Sequence, residues 1–206
     1  MNPLWIWLTA ALLYAAFRLW YDGRRSPMRP EEIEQFLVAL RGTQSGALND
    51  EAVLRRFLEA DDGREFFMLN LVRVEPAEAP HPITGAPTRG VALLREYIAG
   101  FLPTLIRNGG HPAIHARKIG GLIDAWNAPP DPDWTFAGLV RYRSRRDLTR
   151  LVGDPRFAAA HPFKVAAMPA TYSFPTVLGP RLLLGPRVWL ALVLALGAAL
   201  TQLALG

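Results

Sequence analysis

Four histidines, His81, His111, His115 and His161, are the first groups to weigh in a chain of 206 residues that contains no cysteine. The missing thiols exclude disulfide frameworks, thiolate nucleophiles, iron–sulfur clusters and every cysteine-based zinc site. His111 and His115 stand at the i, i+4 spacing with which a helix offers two ligands to one metal. Pro112 between them biases His111 toward extended backbone. In a strand, four residues span roughly 13 Å, too far for shared ligation of one ion. No metal site is expected from this pair. His161 lies in AAAHPFK, where it either joins a pocket or interacts with carbonyl groups at a helix end. No serine stands in a GxSxG elbow, and no glycine run has the spacing of a phosphate or dinucleotide loop, so no cofactor is expected. The carboxylates fall in charged, helix-surface contexts, and no acid pair stands out.

The run Arg141-Tyr142-Arg143-Ser144-Arg145-Arg146 mixes arginines with an aromatic ring, as nucleic-acid surfaces do. Strand alternation separates Arg141 and Arg143 from Tyr142, and Arg145 and Arg146 fall at a helix start. Nucleic acid is therefore not expected as a partner. Attraction to anionic lipid headgroups is the simpler use of such charge in a domain tethered to a bilayer.

The elements that must position these groups begin with two apolar ends. The segment at residues 3–21 reads LWIWLTAALLYAAF before Arg18 and LWY after it. Its roughly 18 residues make a helix of about 27 Å, close to the thickness of a hydrocarbon core. Arg18 can snorkel from near its end, and Trp5, Trp7, Trp20 and Tyr21 suit the interfacial belts. It lacks a basic start and a small-residue cleavage site, so it is expected to stay attached. In the segment at residues 187–206, the run from Val188 to Leu205 is again uncharged and apolar all round, whereas a core helix of that length carries a polar face. Arg18 near the end of the first segment is followed by Arg24, Arg25 and Arg29, and the second segment is preceded by Arg181 and opens on Arg187. This asymmetry predicts an inner-membrane protein with its central domain cytoplasmic and both termini on the outer side.

The composition agrees with a folded centre. Half the residues are hydrophobic and 20% are charged, too apolar for disorder, and 18 prolines with 17 glycines show no collagen period. The net charge of +5 comes from arginine, because Lys118 and Lys164 are the only lysines.

Residues 30–62 read as a helical lead-in, with Pro30-Glu31-Glu32 as a helix start and a second short helix from Asn49 or Asp50 to Ala60. Within residues 64–180, EFFMLNLVRV at 65–74 reads as a strand, and the four prolines of 75–90 argue against any regular element. Val91 to Ile106 reads as an amphipathic helix that Pro103 should bend or break, stopped by Asn108-Gly109-Gly110. Strands are predicted at 111–119, 134–143 and 170–178, with helices capped by Ser144 and Asp154 between the last two. The order strand, helix, strand, strand, helix, strand is the split βαβ pattern of a ferredoxin-like, α+β fold with one bare sheet face.

MLNLVRV at 68–74, the helix ending in NGG, LVRYRSRRDL at 139–148 and GDPRFAAAHPFKVAAM at 153–168 together resemble a bacterial family of domains of unknown function. That family belongs to the dimeric α/β-barrel superfamily, near the NIPSNAP-like and antibiotic-biosynthesis-monooxygenase-like groups. The resemblance spans residues 64–178 and implies a homodimer in which two bare sheet faces close a barrel. Superfamily relatives include cofactor-free monooxygenases, haem-degrading enzymes, chlorite-dismutase-like proteins and plain ligand binders.

The expected architecture is thus a ferredoxin-like dimeric α/β-barrel domain flanked by two transmembrane helices. In the first strand the uniformly apolar set Phe67, Leu69 and Leu71 is expected to face the helices, turning Asn70 toward the barrel interior. His111, His115 and Arg117 would join it from the second strand, Trp134, Phe136 and Tyr142 from the third, and His161 from the following helix. An aromatic-walled pocket with a few polar groups is the usual make-up of a small-molecule site. The leading functional reading is a membrane-anchored domain that binds a small apolar or amphipathic molecule. A cofactor-free or haem-linked monooxygenase-like oxidoreductase and a non-catalytic membrane scaffold are the alternatives.

Overall fold

In a computed structural model, the structure describes residues 4–23, 26–179 and 185–205. In chain order the elements are helices α1 (Leu4–Asp22), α2 (Pro30–Arg41), α3 (Gln44–Ala47) and α4 (Glu51–Glu59), then strands β1 (Phe66–Arg73), β2 (Glu78–Pro80) and β3 (Pro87–Arg89). Helix α5 (Gly90–Arg107), strands β4 (His111–Arg117) and β5 (Phe136–Tyr142), helices α6 (Arg145–Val152) and α7 (Pro155–Ala167), strand β6 (Ala170–Thr176) and helix α8 (Pro186–Leu205) complete the mixed α+β chain. Two compact units result: the terminal segments Met1–Arg24 with Leu178–Gly206, and the central Arg25–Val177.

The terminal unit is built from α1 and α8, both long and apolar enough to cross a membrane. They run antiparallel. Trp7 Nε1 near the start of α1 donates to Gln202 Oε1 near the end of α8 at 2.8 Å, and at the opposite ends Asp22 pairs with Arg187 at 2.6 Å. Thr201 and Gln202 interrupt an otherwise apolar helix, and both find acceptors or donors: Thr201 Oγ1 donates to Gly197 O within α8.

In the central unit the helix starts follow capping chemistry. Asp50 accepts from the amides of Ala52 and Val53, Ser144 from Asp147, and Asp154 from Arg156. Pro30 and Pro155 occupy first-turn positions, where the missing N–H has no cost. Gly109 closes α5 at φ +72°, a left-handed conformation that suits glycine. Pro103 lies inside α5 without ending it. Two three-residue strands, β2 and β3, pair within the proline-rich segment, contrary to the expectation of no regular element there. Pro80 and Pro87 face each other at the end of this ladder, beside the turn, so the interior of the ribbon keeps its donors.

The main sheet is four-stranded and antiparallel throughout, in the order β4–β5–β1–β6. Helices α5, α6 and α7 cover one face. There Phe66 and Tyr142 join a core with Leu93, Leu105, Leu151 and Phe157, and Met68 and Val140 pack against it. The register makes this covered set Phe66, Met68, Asn70 and Val72, opposite Tyr142, Val140, Gly138 and Phe136 of β5. The expected orientation of β1 is therefore reversed: Phe67, Leu69 and Leu71 belong to the other face, beside Thr176, Phe174 and Tyr172 of β6. The reason is that both alternating sets of β1 are apolar enough to be buried. The larger rings of Phe66 and Tyr142, stacked at 5.2 Å, fill the space under the helices.

A register shift in β4 between Pro112 and Ile114 places an extra residue, Ala113, in the strand. Such a bulge turns the residues on its two sides to opposite faces. His111 pairs with Arg141 on the helix-free face, whereas His115 pairs with Gly138 and Arg117 with Phe136 on the covered one. The expected shared face of His111 and His115 is thereby corrected.

Candidate functional site

Between the covered sheet face and the helices lies a cavity of about 380 Å³. That volume is within the range of small-molecule sites, roughly 300–1,000 Å³. Its floor includes Met68, Asn70 and Val72 of β1 with Phe136 and Val140 of β5, and its roof includes Leu94, Tyr97 and Phe101 of α5. The lead-in helices also contribute, through Phe36 and Leu40 of α2 and Leu54 of α4. The walls are mostly aliphatic and aromatic, and no carboxylate is among the described residues that line them.

Of the eight residues singled out in the sequence for a pocket in the barrel interior, Asn70, His115, Phe136, Tyr142 and His161 line this cavity, which lies on the helix-covered side of the sheet instead. His111, Arg117 and Trp134 do not. His111 is on the other sheet face, where its Nδ1 lies 2.8 Å from Pro112 O. Arg117 is exposed at the end of the edge strand β4. Trp134 precedes β5 and its ring lies 5.2 Å from Tyr172, a residue of the helix-free face.

The polar groups inside divide into those with a protein partner and those without one. Asn70 is fully engaged within the sheet: Ser173 Oγ donates to its Oδ1 at 2.7 Å, and its Nδ2 donates to Met68 O at 3.0 Å. His115, on the exposed edge strand, packs against the Phe136 ring at 4.9 Å. His161 is 7% exposed and lies 5.7 Å from the Phe157 ring, with its Nδ1 3.3 Å from Gln44 Oε1. The amide oxygen is an acceptor, so this contact selects the tautomer with hydrogen on Nδ1. Burial, and then the charge of Lys164 one turn on, push the His161 imidazole down to about 4. It is thus neutral across the physiological range.

Lys164, Tyr97 and Tyr142 are different. All three line the cavity, and none has a hydrogen-bond or ion-pair partner among the described residues. Burial lowers the Lys164 ammonium below its ordinary value and raises both phenols above theirs, with Tyr142 adding to the shift of Tyr97. Sequence reasoning missed Lys164. Its signal was present: Phe157, His161 and Lys164 are spaced i, i+4, i+7 and form one stripe of α7, and this lysine occurs in a chain that otherwise uses arginine almost throughout.

The arginine run is engaged by the fold. Arg141, with its side chain 1% exposed, donates to Glu65 Oε2 and Gly109 O at 2.8 Å. Arg143 pairs with Asp147 at 2.7 Å, and Arg146 donates to Pro27 O and Glu32. Arg145 lies over the Phe57 ring at 4.7 Å. Among the described residues, no group of three or more metal-ligating side chains occurs.

These features define an α+β domain with a partly open, largely apolar cavity lined by unpaired hydrogen-bond donors. No family model and no curated protein matches the chain. It is similar to the crystal structure of RPA0582, a protein of unknown function from Rhodopseudomonas palustris, at a TM-score of 0.56 and 25% identity, over 64% of this chain and 96% of that one. The structure of methylated RPA0582 gives the same TM-score and identity, over 64% of this chain and 94% of its own. The likeness is to uncharacterised proteins, and it accords with a domain of unknown function.

Proposed function

We propose that the central unit is a ferredoxin-like domain of the dimeric α/β-barrel kind that binds a small apolar or amphipathic molecule. The observation that carries the binding reading is the cavity itself. Burying a ligand there removes apolar surface from water, which is favourable at roughly 25 cal/mol per Å². The strand order β4–β5–β1–β6, with one helical connection after β1 and another after β5, supports the ferredoxin-like reading.

Pairing of two copies is supported by the helix-free face. Tyr172 and Phe174 of β6 are exposed there beside Leu69 and Leu71, and an apolar sheet face of this kind favours association. Helices α1 and α8 support attachment to a bilayer. The arginines at their inner ends favour a cytoplasmic domain with both termini outside, in the inner membrane.

Native mass spectrometry of the full chain, purified in detergent, tests the reading. Dimers with a retained small molecule in the mass range of a single-chain lipid or smaller are expected. Ligand-free monomers that take up no added long-chain alcohol would overturn it.

A further inference from the structure

The chain has two lysines, and the fold treats them oppositely. Lys118, in the loop after β4, is paired with Asp131 and lies 3.8 Å from Asp133. Lys164, half-buried, projects from α7 to line a mostly apolar cavity and has no partner among the described residues. Long cations are seldom placed against apolar walls unless paired, because an ammonium there loses part of its hydration. The remaining titratable groups around the cavity offer it no counter-charge. They are His161 on the same helix, Tyr97 of α5, Tyr142 of β5 and His115 of β4. The imidazole of His161 is neutral, and the two phenols, pushed upward by burial, keep their protons. What the cavity lacks is an anion.

We infer that Lys164 anchors the head of an anionic amphiphile, a long-chain carboxylate whose hydrocarbon tail occupies the apolar part of the cavity, with the unpaired hydroxyls of Tyr97 and Tyr142 as further donors. This rests on the cavity being a ligand site, and it adds the chemistry of the head group. A carboxylate accepts several hydrogen bonds, and a charge-assisted bond from an ammonium is about twice as strong as a neutral one. Binding removes the penalty on the lysine charge, so the Lys164 pKa rises when the site fills.

The test uses the full chain in amphipol with 15Nζ-labelled lysine, where two lysine signals serve as probe and internal control. Decanoate is expected to shift the Lys164 signal and move its titration to higher pH while Lys118 stays fixed; decanol is expected to bind without that change. In Lys164→Met, decanoate affinity should fall about tenfold or more, and decanol affinity should be unchanged. Equal binding of decanoate and decanol by the wild-type chain, with Lys164 unmoved by decanoate, overturns the anchor and leaves the cavity reading standing. Failure of both probes to bind overturns both.

Discussion

At the scale of single residues, the molecule separates groups that complete the fold from groups that are left over. Asn70 looked like a pocket residue in the sequence, and its amide is consumed by Ser173 and by strand carbonyls. His161 is buried neutral, and this has a pH signature. The unfolded chain protonates the imidazole near 6.5, whereas the folded chain does so only near 4. As pH falls through that window the unfolded state binds the extra proton, so stability is lost between about pH 6.5 and 4 and is fully present above it. Thermal melts of His161→Gln are therefore expected to fall less between pH 7 and pH 5 than those of the wild type. An identical acid loss in both proteins would show that His161 takes up its proton in the fold. Lys164 escaped sequence reasoning because helical spacing tells which residues share a stripe but not that the stripe borders a cavity rather than a packed core.

At the scale of elements, capping and composition made most boundaries legible. The starts at Pro30, Asp50, Ser144 and Asp154 were visible because each uses a proline or a side-chain acceptor that satisfies free amides. The facing of β1 was not legible. Phe66, Met68 and Val72 are as apolar as Phe67, Leu69 and Leu71, so alternation alone leaves the choice of face open. The bulge at Ala113 was likewise silent, and it decides that His115 rather than His111 meets the cavity. One interface rests on a missing side chain: a Cβ on Gly100 of α5 would stand 2.7 Å from the Cβ of Ala160 on α7. Gly100→Ala is expected to destabilise the protein by about 1–3 kcal/mol through overpacking, less whatever part of the ~1 kcal/mol helix preference of alanine is realised. Adding Ala160→Gly should relieve the clash, making the alanine at 100 stabilising in that background. Denaturant titration of the full cycle checks this; a Gly100→Ala effect of equal size in both backgrounds would contradict the close approach.

At the scale of the whole molecule, the chain joins a terminal unit of two antiparallel apolar helices to a central α+β unit that contains a cavity. The apolar ends and the succession of strands and helices were readable from the sequence, because their signals are long and repeated. The cavity was not, since it arises where α2, α4, α5 and α7 close over the sheet, and packing between distant segments leaves no local pattern. The central claim is that this space takes a small apolar or amphipathic ligand, and the methionines provide a direct test. Met68 and Met168 line the cavity, whereas Met28 is buried in a separate cluster with Ile33, Leu37 and Leu58. With 13C-methyl methionine labelling of the full chain, decanol is expected to shift the Met68 and Met168 signals and leave Met28 in place. Saturating decanol that moves neither Met68 nor Met168, or that moves Met28 alone, would contradict the account.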